Sequence, residues 1–129
     1  MIVADTDVLI DYLEGCHPGS RAVASALAAG KLQTTVITCY ELFSGARQPR
    51  KYRAVQNLLQ AIPILPLDEG MAQRAAEVRR DLEGSGVQIG MADSLVAGMV
   101  LHQKAALLTR NRRHFERVPH LRLAELAEV

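Results

Sequence analysis

The chain has 129 residues, 49% hydrophobic and 22% charged, a size and balance that fit one soluble domain spanning 1–129. A formal charge of +1 at pH 7 provides no whole-molecule field for nucleic acid or an acidic membrane. Aromatic residues make up 4% and Trp is absent, so the core must be Leu, Val, Ile and Ala, which favours packed helices over a β-sandwich. Cys16 and Cys39 match no metal spacing and no CxxC motif, and read as free thiols of a reducing compartment. MIVADTD has no basic segment and too short an apolar run for a signal peptide. The apolar stretch Met91 to Leu108 carries Asp93, His102 and Lys104, unlike a membrane span. The expected location is cytoplasmic.

In chain order, Ile2 to Ala4 reads as a short buried strand. Thr6 to Glu14 follows as a helix with Val8, Leu9, Tyr12 and Leu13 at helical spacing, stopped by Gly15. Pro18-Gly19 is a turn, and Arg21 to Ala29 an Ala-rich helix ended by Gly30. Leu32 to Ile37 is β-branched and apolar, as in a second strand. Thr38 opens the next helix, and Lys51 to Ala61 forms another. Pro63 and Pro66 bracket a strand at Ile64-Leu65. Asp68 caps a long amphipathic helix through Met71, Ala75, Val78 and Leu82, broken by Gly84-Ser85-Gly86. Ala92 to Gln103 is helical, Ala106 to Thr109 a strand, Asn111 to Phe115 a short helix or turn, and Leu121 to Leu123 a last strand. Alternating strands and helices predict an α/β domain with a mainly parallel β-sheet flanked by helices on both faces.

In such sheets the functional residues gather at the carboxyl ends of strands. Asp5 follows the first strand, Glu41 lies one turn into the helix after TTVI, and Asp93 opens the helix before ALLT. Thr109 and Asn111 end that strand. Singly, each acid has a structural reading. Asp5 fits an N-cap, Asp7 and Asp93 fit first-turn acids, and Thr38-Cys39-Tyr40-Glu41 fits a capping box. Capping accounts for Glu41 and Asp93 at least as well as chemistry does. Jointly, the acids pose a charge problem. Two full charges ~4 Å apart cost about 4 kcal/mol at an effective dielectric of about 20. A divalent cation removes that cost, and all-oxygen ligands suit Mg²⁺ or Mn²⁺ rather than zinc. His17, His102, His114 and His120 show no ligand spacing and read as surface or structural. The basic clusters Arg47, Arg50, Lys51, Arg53 and Arg110, Arg112, Arg113, Arg117 fit either solvated faces or phosphate contacts.

Four stretches, in order and well separated, resemble the PIN-domain ribonucleases, and among them the VapC toxins of toxin–antitoxin pairs. They are IVADTDVLIDYLEG at 2–15, TTVITCYELFSGAR at 34–47, IGMADSLVAGMVL at 89–101 and ALLTRNRRHFERVPHLRL at 106–123. The resemblance implies a PIN-like fold and a Mg²⁺- or Mn²⁺-dependent endoribonuclease, with one or two ions per site. By position, Asp5, Glu41 and Asp93 match the family's metal-site acids. Thr6, Asp7, Thr109 and Asn111 become auxiliary or substrate-contacting residues. Asp7 falls where the family usually has Asn. Asn111 falls where a fourth acid is usual, which leaves a second ion in doubt. Asp11 is expected to meet solvent or pair with a base. Arg110, Arg112 and Arg113 become candidates for RNA-phosphate contact. The implied partners are RNA, a VapB-type antitoxin that reaches the acids with an Arg, a second copy in a homodimer, and DNA only through the antitoxin.

Two further classes fit parts of the chain. Asp5-Thr6-Asp7 after an apolar strand resembles a haloacid-dehalogenase-like phosphatase, with Asp5 as nucleophile and Asp7 as acid. That reading lacks a positioned Lys and leaves Glu41 and Asp93 without a role. A response-regulator receiver lacks its phospho-accepting Asp and its Lys. A catalytically silent PIN-fold binding module would tolerate missing acids, and here three are present.

Overall fold

A computed structural model describes residues 1–126. In chain order its elements are β1 (Ile2–Ala4), α1 (Thr6–Glu14), α2 (Gly19–Ala28), β2 (Leu32–Thr35), α3 (Val36–Gly45), α4 (Pro49–Gln60), β3 (Ile64–Leu65), α5 (Glu69–Gly84), α6 (Met91–Gln103), β4 (Ala106–Leu108), α7 (Arg112–Phe115) and β5 (Arg122–Leu123). The strands form one five-stranded sheet in the order β3-β2-β1-β4-β5. Every neighbouring pair is parallel, with Ala4 in register with both Thr34 and Leu108. This is the α/β, parallel-sheet architecture the sequence predicts.

Strand alternation divides the core between the two sheet faces. Val3 and Leu107 pack with Val78, Val96, Met99 and Val100 of α5 and α6. Ala4 and Leu108, the next residues along, pack with Val8, Leu9, Val23, Val55 and Leu58 of α1, α2 and α4. Helices therefore cover both faces. Gly98 permits close contact of α5 with α6, since a Cβ there would lie 2.5 Å from the Ala75 backbone nitrogen. Among the described residues no helix is long and apolar enough to cross a membrane.

Several boundaries differ from the sequence expectation, each for a local reason. The second strand stops at Thr35 rather than Ile37. Thr35 is the N-cap of α3, and its hydroxyl accepts from the Thr38 amide at 3.1 Å. The expected capping box at Thr38–Glu41 therefore does not form, because Thr38 already lies inside the helix and Glu41 is not at N3. Helix α4 starts at Pro49, which suits the first turn because its missing amide hydrogen has no partner to lose there. Helix α2 starts at Gly19, two residues before the expected Arg21. Asp68 caps α5 as expected, accepting from the Met71 amide at 2.8 Å.

Candidate active site

The central strand β1 sets the site. The Asp5 amide donates to the Leu108 carbonyl at 2.9 Å, extending the β1–β4 ladder by one step and placing Asp5 beside Thr109. Asp5 then caps α1, with Oδ1 accepting from the Thr6 amide at 2.9 Å. Its Oδ2 accepts from the Thr109 hydroxyl at 2.8 Å. That hydroxyl accepts in turn from the Asn111 amide at 3.0 Å and also lies 3.4 Å from Asp7 Oδ2. Both Asp5 and Thr109 are buried. Burial raises the Asp5 carboxyl to about 6; the hydrogen bonds from Thr109 and Thr6 oppose that, and the charges of Asp7 and Asp93 add to it.

Asp7 lies two residues on. Its Oδ2 accepts from the Arg110 backbone N–H at 3.0 Å. Its Oδ1 is buried without a hydrogen-bond partner among the described residues. Burial raises this carboxyl too, and the Arg110 amide opposes the shift. Glu41 enters from α3. The Thr6 hydroxyl donates to its Oε1 and lies 3.2 Å from the Thr38 hydroxyl. Asp93, in the first turn of α6, completes the set. Asp5, Thr6, Asp7, Glu41, Asp93 and Asn111 all line one open cleft of about 390 Å³, together with Ile10 and Arg110.

Thr109 and Asn111 thus belong to the site, Thr109 as a buried support for Asp5. Arg110, which lines the cleft, and Arg112 each have a protein partner. Arg110 makes a two-pronged ion pair with buried Asp11, Nε to Oδ2 at 2.6 Å and a terminal nitrogen to Oδ1 at 3.3 Å. Asp11 pairs with a base, one of its two expected roles. Arg112 donates to the Ala124 carbonyl at 2.8 Å. Long side chains near a site are readily taken up by nearer carboxylate and carbonyl partners. Arg113 remains exposed.

His114 is the residue that sequence reasoning misses. Its Nδ1 lies 2.9 Å from Asn111 Nδ2 and 3.4 Å from Asp93 Oδ2. The spacing of three residues from Asn111 into a short helix was the available signal.

Among the described residues no three Asp, Glu, His or Cys side chains converge tightly enough to form a ready-made metal cage. The donor set still fits a hard cation that keeps part of its water shell, because such an ion can reach separated carboxylates through its own waters. The orphaned Asp7 oxygen and the Asp5 carboxyl, raised by burial, are the groups such an ion would satisfy.

Fold and cleft together define an α/β protein with an acidic site at the carboxyl edge of its central parallel strands. The chain belongs to the PIN-domain family, whose model matches residues 2–121. It is 35% identical over 115 residues to Ribonuclease VapC10 of Mycobacterium tuberculosis, covering 89% of this chain and 86% of that protein. It is 28% identical to the tRNA(fMet)-specific endonuclease VapC of Shigella flexneri, covering 92% of each. Its fold is similar to a chain in the crystal structure of VapBC2 from Rickettsia felis bound to a promoter DNA fragment. There the TM-score is 0.86 at 22% identity, over 96% of this chain and 98% of that one.

Proposed function

We propose that the protein is a Mg²⁺- or Mn²⁺-dependent endoribonuclease and the toxin of a VapB–VapC-type pair. The observation that carries this reading is the convergence of Asp5, Asp7, Glu41 and Asp93 on one cleft. The PIN-domain match and the ribonuclease names of its relatives support it. Asp5, Glu41 and Asp93 would hold the ion, with Asp7 as an auxiliary oxygen donor. A bound ion of this class polarises a phosphate oxygen, orients the attacking water and stabilises the leaving oxygen. The chain's own residues prepare that site. Thr109 and the Thr6 amide fix both oxygens of Asp5, and the Thr6 hydroxyl holds Glu41. Asn111 supplies an uncharged amide where relatives often carry an acid, so the reading needs one ion and allows a second.

An antitoxin segment fits the same reading. Ile10 and Glu41 line both the acid cleft and an adjoining groove of about 310 Å³, whose walls include Leu13, Leu42, Ala46, Ala54 and Val55. A peptide laying apolar side chains in that groove would bring an Arg to the carboxylates, where it replaces the cation as counter-charge. Similarity to VapBC complexes, some of them bound to DNA, supports a VapB-type partner and DNA contact through that partner. The phosphatase alternative is not favoured: it leaves Glu41 and Asp93 unused, and no lysine lines the cleft among the described residues.

The test is incubation of the purified protein with a mixed small-RNA pool, with Mg²⁺ or Mn²⁺ and with EDTA, beside Asp93→Asn. Discrete metal-dependent fragments are expected, reduced at least a hundredfold by the substitution. Equal cutting by both proteins would refute the assignment of the acid cleft.

A further inference from the structure

A second cavity, of about 470 Å³, adjoins the acid cleft and shares Asp93 with it. It lies between the segment leading into α6 and the α7 region. Ile89 is its buried wall, and His114, Arg113 and Arg117 stand at its exposed side. The two cavities meet where the Asn111 amide, in the acid cleft, contacts the His114 ring at 2.9 Å. The volume is within the roughly 300–1,000 Å³ common for small-ligand sites.

Charge decides what this cavity suits. A polyanion entering a cleft of four carboxylates needs cations close beside it. Of the arginines at 110–117, Arg110 is held by Asp11 and Arg112 by the Ala124 carbonyl. The other two, Arg113 and Arg117, have no carboxylate within ion-pairing distance among the described residues, and both line this cavity. Glu116 shares the rim, so two guanidinium groups stand against one carboxylate besides Asp93. The apolar groove that shares Ile10 and Glu41 with the cleft suits a peptide, whereas this one offers phosphate-binding forks next to a ring and an apolar wall.

We infer that this cavity is the subsite for the RNA nucleotide next to the scissile bond, with Arg113 and Arg117 on its phosphate and His114 against its base. The assignment rests on the ribonuclease reading above. Guanidinium groups bind phosphate oxygens bidentately, and an imidazole ring gives an unstacked base a surface in single-stranded RNA. On this assignment Arg113 and Arg117 set affinity beside the cut, and His114 sets base choice there.

The experiment titrates fluorescein-labelled single-stranded RNA of randomised sequence, about twelve nucleotides long, against the full chain with Mg²⁺ present. A Glu41→Gln background prevents cutting. Arg113→Gln/Arg117→Gln is expected to weaken binding at least tenfold at low salt. It should also flatten the dependence of log affinity on log salt by about 1.4, two contacts at about 0.7 each. Arg74→Gln/Arg79→Gln removes the same charge from α5, where both arginines pair with Glu77 and Glu83, and is expected to leave that slope unchanged. With Glu41 restored, the 113/117 variant should raise KM for the RNA pool about tenfold with kcat within twofold. His114→Ala should change the base found beside the cut when fragments are sequenced. An unchanged salt slope and KM in the 113/117 variant, with the parent binding and cutting RNA, would overturn the subsite and leave the ribonuclease reading standing. A parent that neither binds nor cuts RNA would overturn both.

Discussion

Asp5 is buried, and in the absence of a cation its carboxyl is raised to about 6 from an ordinary 3.8. The folded chain therefore holds a proton on Asp5 that the unfolded chain releases between those two values. Where the folded state binds more protons, stability falls as pH rises. In EDTA, unfolding free energy should thus be higher near pH 4 than above pH 6 as far as Asp5 is concerned. The loss is of order 2–3 kcal/mol, since each tenfold change in proton affinity is worth about 1.4 kcal/mol. Asp5→Asn, neutral throughout, should remove that slope, and saturating Mg²⁺ should reduce it in the parent. Urea denaturation at a series of pH values tests both; a flat parent profile in EDTA would sink the argument. Thr109→Val is the companion case. It deletes the buried donor to Asp5 at nearly constant volume, costs about 1–3 kcal/mol, and should weaken Mg²⁺ binding in a calorimetric titration.

Between elements, the Arg110–Asp11 pair joins α1 to the turn after β4, whose backbone holds Asp7. Asp11 is buried, and its oxygen occupies the space a Cβ at Gly19 would take. Arg110→Met leaves that carboxylate unpaired. The arginine side chain is 46% exposed, so solvent screening cuts the cost below that of a fully buried pair, to roughly 1–2 kcal/mol by urea denaturation. Gly98→Val, at the α5–α6 contact, should cost more, because the Ala75 backbone it would strike is rigid, and should move Asp93 with its helix. Local chemistry made many elements legible in the sequence: the Asp68 cap, the Gly15 stop, and even the two-residue β3 between its prolines. The start of α3 was not legible. Thr35 and Thr38 both offer a capping hydroxyl, Val36 and Ile37 favour a strand, and only packing chooses between them.

At the scale of the whole molecule, a strand order of β3-β2-β1-β4-β5 brings the ends of β1, β2 and β4 together, and with them Asp5, Glu41 and Thr109. That part of the site follows from the alternating pattern and the acids after each strand. The partners of individual side chains do not. Arg110 and Asp11 lie 99 residues apart, and no local rule pairs them. A net charge of +1 likewise hides an acidic cleft bordered by arginines. A chain shortened to residues 1–104 loses β4, Thr109 and the Arg110 amide. It should bind Mg²⁺ at least tenfold more weakly than the full chain in a calorimetric titration, even where it retains helical circular dichroism.

The register of Ile2 with Ala106 also has a bearing on how the protein is made. The first strand leaves the ribosome early and must wait for nearly the whole remaining chain before its second neighbour arrives. Until then Asp5 lacks Thr109, and Asp7 lacks the amide that holds it. Pairing across such a separation is slow to form and is completed late. A nascent chain tethered at the ribosome therefore cannot complete the acid cleft until its last strands emerge.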